Sequence, residues 1–136
     1  MAPIRILVVD DNHLIRKLIG LILEGAGYTP IDADSGEAAL ALVHADPPDL
    51  VIVDEVMPGM LGSELVRLLR RSRERRLRSL AVVGISGHDG AARALLQAGA
   101  DAFVAKPVEE HPLLDAIARA LGRPLRPDDP HGLPAA

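Results

Sequence analysis

Three acidic residues of this chain follow short apolar runs that are typical of buried strands. Asp10 and Asp11 come after residues 4–9, and Asp54 comes after residues 50–53. If the two runs form neighbouring parallel strands, their carboxyl ends lie at one edge of a sheet and the three carboxylates converge there. Like charges at such spacing repel, which raises at least one pKa unless a cation lies between them. Carboxylate oxygens are hard ligands that suit Mg²⁺, an ion that often bridges to phosphate.

A lysine and a hydroxyl group complete this set. Ser86 follows the apolar run at residues 80–85, and Lys106 follows the run at residues 102–105. A carboxylate such as that of Asp54 can act as a nucleophile and become an aspartyl phosphate. Mg²⁺ and Lys106 would neutralise charge on the transferring group, and Ser86 would donate a hydrogen bond to one of its oxygens. These residues therefore predict a site for phosphoryl transfer.

The elements that must position these side chains can be read from the chain as a whole. Five short apolar runs alternate with five stretches of helical periodicity. This alternation predicts an α/β fold with one doubly wound, five-stranded parallel sheet and five helices on its two faces. Pro30 favours an edge position for the second strand. Asp11 or Asn12 is the candidate N-cap of the first helix, Ser35 is that of the second, and Gly99 is the candidate C-cap of the fourth.

Leucine and isoleucine positions define the helical period of the first and third helices. The first helix is marked by Leu14, Leu18, Leu21 and Ile22. The third helix is expected to bury Leu65, Leu68 and Leu69.

Seven arginines lie between residues 67 and 78. They suit either a solvated helix end, where cations complement the helix dipole, or a docking surface for an acidic partner, and we favour the first interpretation.

The composition excludes several classes of site. One Tyr, one Phe and no Trp leave no aromatic platform for nucleic-acid bases and no aromatic cage. A chain without cysteine has no disulfide, no thiol catalysis and no Cys-ligated metal centre. The net charge of −4 is too small to predict a polyionic partner, and no apolar run is long enough to cross a membrane. We expect a cytoplasmic protein that binds neither nucleic acid nor membrane.

The length of 136 residues suits one domain. We expect this domain to occupy residues 1–122. Residues 123–136 contain four prolines and no apolar periodicity, so we expect a flexible, proline-rich tail there.

The ordered set of residues at the strand ends resembles the receiver domain of two-component response regulators, of the single-domain type typified by the chemotaxis protein CheY. The resemblance covers about residues 3–122. It is carried by Asp10-Asp11, Asp54, the loop at 57–60, Ser86, residues 98–101 and Lys106-Pro107. It implies a CheY-like (flavodoxin-like) strand order of 2-1-3-4-5. It also implies a partner, either a histidine kinase or a histidine phosphotransfer protein, that donates a phosphoryl group to Asp54.

The resemblance implies an ion-binding role for several site residues. Asp11 and Asp54 would ligate Mg²⁺ directly, and Asp10 would act largely through water. The backbone carbonyl of Val56 would be a further ligand. Lys106 would pair with the phosphoryl group, and its peptide bond to the following proline is expected to be cis.

The resemblance also implies switch and tuning positions. Ser86 would move toward the phosphoryl group, and Phe103 would be the switch aromatic. Val56 and His88 would tune how readily water reaches the acyl phosphate. His13 and His88 lie near the expected site, but Mg²⁺ does not prefer imidazole, so both are expected to be bystanders to the ion.

One residue beside the phosphoacceptor departs from the family pattern. Glu55 stands where the family more often has an apolar residue. Asp54 and Glu55 would also suit a solvated loop pair, although a carboxylate directly after a buried strand is costly without a function.

The residues leave three function classes open. The favoured class is a stand-alone phosphorelay receiver, a monomer or weak homodimer that signals to a downstream protein and is not a conventional enzyme. The alternative is a receiver-like interaction module that is never phosphorylated, against which intact Asp54 and Lys106 argue. The third class is a small phosphotransferase or phosphatase, for which a second catalytic carboxylate beside Asp54 and a cap domain are missing from the sequence pattern.

Overall fold

The sheet has the topology expected from the sequence. The computed structural model describes residues 2–122, and the expected tail at 123–136 lies outside the described residues. The strands are β1 (Arg5–Val9), β2 (Thr29–Ala33), β3 (Leu50–Asp54), β4 (Ala81–Ser86) and β5 (Ala102–Ala105). They are all parallel and lie in the order β2-β1-β3-β4-β5. The strand order and the edge position of Pro30 are therefore confirmed.

Six helices lie within residues 2–122, one more than predicted. They are α1 (His13–Gly25), α2 (Gly36–Ala45), α3 (Gly62–Arg70), α4 (Arg75–Arg78), α5 (Ala91–Ala98) and α6 (Glu110–Leu121). The additional helix, α4, is a single turn around the buried Leu77. One buried residue among arginines produces no apolar period, which explains why the sequence pattern does not show this turn. None of these six helices combines the length and the hydropathy needed to span a bilayer.

The central strands bury side chains on both faces of the sheet. Leu7 and Val9 of β1 pack on the side of α2, α3 and α5, whereas Ile6 and Val8 pack on the side of α1 and α6. A parallel strand with two buried faces has a near-continuous apolar sequence, which is why β1 and β3 are recognisable. Burial of these side chains holds the carboxyl ends of the strands in register, and the candidate site lies at those ends.

Most leucines of α1 face solvent. The exposed members are Leu14 (72%), Leu18 (44%) and Leu21 (61%). The fully buried positions of α1 are Ile19 and Leu23. Because α1 has apolar residues on both its buried and its exposed face, the apolar spacing alone does not show which face packs on the sheet. Leu68 of α3 is exposed as well, so the prediction that it is buried is wrong, while Leu65 and Leu69 are buried as predicted.

One arginine of the run at 67–78 has a structural role. The largely buried side chain of Arg70 donates hydrogen bonds to the carbonyl oxygens of Leu80 at 2.7 Å and Gly99 at 2.8 Å. It also pairs with Asp101 at 3.2 Å, and so ties the end of α3 to the segments before β4 and β5. A solvated helix end is therefore the wrong interpretation for Arg70. The exposed members of the run are Arg67, Arg71, Arg73 and Arg76.

The helix caps confirm three sequence assignments. The side chain of Asn12, rather than Asp11, caps α1 by accepting hydrogen bonds from the first amides of the helix. Ser35 caps α2 in the same way. Gly99 ends α5 with a φ of 121°, a conformation that favours glycine. Because Asn12 performs the capping, the Asp11 carboxylate remains available to the candidate site.

Candidate functional site

The carboxyl ends of four strands meet at one edge of the sheet. Asp10 follows β1, Asp54 ends β3, Ser86 ends β4, and Lys106 follows β5. Direct pairing of β1 with β3 brings Asp10 and Asp54 side by side. The chain continues from β1 to one side of the sheet and from β3 to the other, and α/β sheets bind ligands at such a reversal.

The three aspartates converge as predicted. Asp10, Asp11 and Asp54 each offer one carboxylate oxygen, and these oxygens all lie within 4.8 Å of one another. Asp10 is 0% and Asp54 4% exposed, whereas Asp11 is exposed. Asp10 is oriented by the amide of Asn12, which donates to its Oδ1 at 2.9 Å. The cluster therefore has two buried carboxylates at its base and one at its mouth.

Lys106 bridges the two buried carboxylates. Its Nζ lies 2.9 Å from Asp10 Oδ2 and 3.2 Å from Asp54 Oδ2. The peptide bond between Lys106 and Pro107 is cis, as expected. The amide of Lys106 donates to the carbonyl oxygen of Ser86 at 3.0 Å, which ties the loop after β5 to the end of β4.

Burial and charge shift the pKa values of two site residues. Burial raises the pKa of Asp54, and the neighbouring Asp10 charge raises it further, against the opposing effect of Lys106 and the Val56 amide. For Lys106, burial alone would lower the pKa, but the combined attraction of Asp10 and Asp54 outweighs it and raises the pKa. Lys106 is therefore held as an ammonium group, while Asp54 ionises less readily than an ordinary carboxyl group.

One buried carboxylate oxygen of the cluster lacks a hydrogen-bond donor. Among residues 2–122, Asp54 Oδ1 has no hydrogen-bond partner, whereas Asp10 Oδ2 has the Lys106 ammonium group 2.9 Å away. A buried oxygen without a donor is costly. A hard divalent cation would satisfy Asp54 Oδ1 and relieve the repulsion between the carboxylates, so these residues fit Mg²⁺. The role of the Val56 carbonyl as a ligand stays a prediction.

Ser86, Val56 and His88 lie at or just after the carboxyl ends of β3 and β4. Ser86 is buried, and its hydroxyl oxygen accepts a hydrogen bond from the His88 amide at 3.2 Å. Val56 and His88 are both exposed. Val56 follows Asp54 by two residues and His88 follows Ser86 by two residues, and their tuning role stays a prediction.

Phe103 of β5 precedes Lys106 by three residues. It belongs to the edge strand β5, is half-buried, and packs against the core on the side of α5. It also lines an open groove of about 440 Å³ together with Pro107 and Pro112. The switch role of Phe103 stays a prediction.

Two residues near the site carry contacts that the sequence pattern does not indicate. Glu55 is 7% exposed, and its carboxylate accepts hydrogen bonds from the Ser63 amide and hydroxyl group. A solvated pair is therefore the wrong interpretation of Glu55. Arg16 donates to the carbonyl oxygen of Asp10 and pairs with Asp32, each at 2.8 Å. The only sequence signal for Glu55 is its departure from the family, and no local signal marks Arg16.

Known proteins are similar to this chain over almost its whole length. A family model described as the response regulator receiver domain matches residues 6–118. The sensor histidine kinase GacS of Pseudomonas protegens is 38% identical over 132 residues, covering 95% of this chain and 14% of the kinase. The response regulator MprA of Mycolicibacterium vanbaalenii is 38% identical over 136 residues, covering 98% of this chain and 57% of MprA. The chain therefore spans less than two thirds of the length of these relatives.

Solved structures show the same fold. The chemotaxis response regulator CheY4 of Vibrio cholerae has a TM-score of 0.79 at 26% identity, over 88% of this chain and 99% of CheY4. A CheY-like receiver domain protein of Methanospirillum hungatei has a TM-score of 0.79 at 30% identity, over 88% of this chain and 94% of its own. The strand order, the acidic cluster and the match over residues 6–118 lead to one conclusion. The chain belongs to the family of response regulator receiver domains.

Proposed function

We propose that this chain is a stand-alone phosphorelay receiver whose Asp54 accepts a phosphoryl group from a phosphohistidine. One observation carries the proposal: Lys106 Nζ lies 3.2 Å from the Asp54 carboxylate. The other Asp54 oxygen has no hydrogen-bond partner within residues 2–122. In the reaction, an Asp54 oxygen bonds to phosphorus while the phosphorus–nitrogen bond of the donor breaks, and the electron pair of that bond stays on the imidazole ring.

Charge neutralisation is the main task of the surrounding residues. Asp11, Asp54 and the Val56 carbonyl would hold Mg²⁺ directly, and Asp10 largely through water. When bound, the ion neutralises charge on the transferring phosphoryl group. The Lys106 ammonium group pairs with a phosphoryl oxygen once Asp54 is phosphorylated, and Asp10 keeps it within reach at 2.9 Å.

The response to phosphorylation passes through Ser86 and Phe103. The Ser86 hydroxyl oxygen accepts a hydrogen bond from the His88 amide, so its own proton is free to reach a phosphoryl oxygen by rotation of the side chain. Phe103 then moves from its half-buried position, and the surface of β4, β5, α5 and α6 shifts toward a state that a downstream protein recognises.

The exposed leucines of α1 offer a docking face for the phosphoryl donor. Leu14, Leu18 and Leu21 are exposed on the helix that begins two residues after Asp11. Several large apolar side chains on one exposed helix favour a protein contact. A donor bound on this face would lie beside the mouth of the acidic cluster. We therefore assign the contact with a histidine kinase or histidine phosphotransfer protein to α1.

The proposal includes several further assignments. The chain promotes its own phosphorylation and the hydrolysis of its acyl phosphate, and is not a conventional enzyme. It acts in the cytoplasm as a monomer or weak homodimer. The competing function is an interaction module that is never phosphorylated.

Phosphorylation by a small-molecule donor tests the proposal without a known kinase. Acetyl phosphate with Mg²⁺ is expected to add about 80 Da, the mass of one phosphoryl group, as a base-labile adduct. Asp54→Asn should abolish the adduct. Asp34→Asn is the matched control, because Asp34 is an exposed aspartate just after β2 at the same edge of the sheet. An unlabelled parent chain, or an adduct that persists in Asp54→Asn, would support the interaction module instead.

A further inference from the structure

We propose that Glu55 is a positioning residue for the ion site, a role that rests on the proposed function. Its carboxylate holds the loop between β3 and α3 so that Asp54 and the Val56 carbonyl face one cation. Glu55 lies between these two groups in the chain, and the side chain points away from the acidic cluster to the start of α3.

The hydrogen bonds of Glu55 fix the backbone on both sides of it. Its carboxylate oxygens accept from the Ser63 amide at 2.6 Å and the Ser63 hydroxyl group at 2.9 Å. Its amide donates to the carbonyl oxygen of Ile85 at 3.2 Å, and its carbonyl oxygen accepts from the Gly62 amide at 2.9 Å. One residue is thus anchored to β4 and to α3 at once. Charge-assisted bonds of this kind are short and strong, and no solvent competes for them at 7% exposure.

Close packing makes the loop sensitive to this anchor. A Cβ atom at Gly62 would overlap the carbonyl oxygen of Asp54, so α3 begins in direct contact with the phosphoacceptor's own backbone. A shift of α3 against Glu55 would therefore displace the Asp54 peptide. Groups that orient metal ligands without touching the metal commonly affect metal affinity by 10-fold or more.

A second carboxylate at the same helix terminus provides a matched control. Glu64 is exposed, and its Oε1 accepts from the Leu61 amide at 3.2 Å. It caps α3 as Glu55 does, but its bond lies at the far end of the loop from Asp54. A pure capping role would make the two residues equivalent for ion binding.

The test measures Mg²⁺ binding to the unphosphorylated chain by calorimetry, with thermal unfolding and amide hydrogen exchange at residues 56–61. Glu55→Leu is expected to weaken Mg²⁺ binding by about 10-fold and to accelerate exchange in the loop. Glu55→Gln should retain affinity within about 2-fold, since its amide can accept from the Ser63 amide and donate to the hydroxyl oxygen. Glu64→Leu should lower the unfolding temperature without changing Mg²⁺ affinity.

Each result supports or overturns the role. Unchanged affinity in Glu55→Leu means that Glu55 only caps the helix. An equal loss in Glu55→Gln and Glu55→Leu means that its charge, not its hydrogen bonds, acts on the ion. If Glu55→Leu does not fold, Ser63→Ala carries the test, because it removes only the hydroxyl donor and should weaken binding about 3-fold. If the parent chain binds Mg²⁺ and is phosphorylated, and Glu55→Leu and Ser63→Ala bind Mg²⁺ as tightly as the parent, only the role of Glu55 is overturned. A parent chain that neither binds Mg²⁺ nor is phosphorylated overturns the proposed function as well.

Discussion

The ammonium group of Lys106 lies closer to Asp10, at 2.9 Å, than to Asp54, at 3.2 Å. Asp10 is the most deeply buried acid of the cluster. Lys106 thus pairs at least as closely with Asp10 as with Asp54, the proposed phosphoacceptor. This arrangement keeps the cation in place whether or not Asp54 carries a charge.

Lys106 is expected to act on phosphorylation more than on ion binding. Lys106→Met should slow labelling of Asp54 by acetyl phosphate roughly 100-fold, because it removes one charged donor to the transferring group. Mg²⁺ affinity should not fall, since the variant removes a cation that competes for the same carboxylates. Calorimetry and intact-mass kinetics measure the two effects separately. Parallel loss of binding and labelling would contradict this division of roles.

Asp54 is expected to destabilise the ion-free fold at neutral pH. Its pKa is raised above the ordinary value of 3.8 by burial and by Asp10. The folded state therefore holds the proton more tightly than the unfolded state. The resulting stabilisation is fully present below pH 3.8 and is lost as the pH rises through the folded-state pKa.

Asp54→Asn should consequently unfold a few degrees higher than the parent chain at pH 7 without Mg²⁺. The difference should shrink toward pH 4, and saturating Mg²⁺ should reduce it by stabilising the parent alone. Thermal unfolding followed by circular dichroism measures all three conditions. Asp34→Asn serves as the control and should show no such pattern. A difference that is independent of pH would contradict the assignment to the Asp54 charge.

The site residues at the strand ends were easier to predict from the sequence than the residues that position them, such as Glu55. Asp10, Asp54, Ser86 and Lys106 each end an apolar run, and parallel strands bring such residues to one edge whatever the helices do. Glu55 escaped prediction because its partner Ser63 is eight residues away on another element.

The two faces of α1 show a second limit of sequence patterns. Leu18 and Ile19 are adjacent and equally apolar, yet Leu18 is exposed and Ile19 is buried. Periodicity cannot choose between them when both helix faces are apolar, since the choice depends on which side the sheet occupies.

Arg70 is expected to contribute to stability far more than the exposed arginines of its run. Arg70→Ala removes hydrogen bonds to Leu80 and Gly99 and leaves Asp101 without this partner, so we expect a loss of about 2–4 kcal/mol. Arg67→Ala, on the same helix and exposed, should change stability by less than about 0.5 kcal/mol. Urea denaturation compares the two. If both variants lose less than about 0.5 kcal/mol of stability, water replaces the Arg70 hydrogen bonds in Arg70→Ala without a large cost.

Val56 is expected to slow hydrolysis of the acyl phosphate. Its apolar side chain is exposed beside Asp54 and would keep water from aligning there. Val56→Asn offers a polar group that can orient water, so loss of the phosphoryl group should be roughly 3-fold faster, about 0.7 kcal/mol in the barrier. Intact-mass spectrometry after removal of acetyl phosphate gives the rate. The same rate in parent and variant would exclude Val56 as a determinant of lifetime.

Leu18 is expected to affect phosphoryl transfer from a donor protein but not labelling by acetyl phosphate. Leu18→Glu places a charge on the proposed docking face of α1 and should slow phosphoryl transfer from a histidine phosphotransfer protein roughly 10-fold, equivalent to about 1.4 kcal/mol. Labelling by acetyl phosphate should be unchanged, because the aspartate cluster is not altered. Leu68→Glu is the matched control, since Leu68 is an exposed leucine on α3 with a similar exposure. Equal slowing in both variants, or slowing with acetyl phosphate as well, would remove the reason to assign the donor to α1.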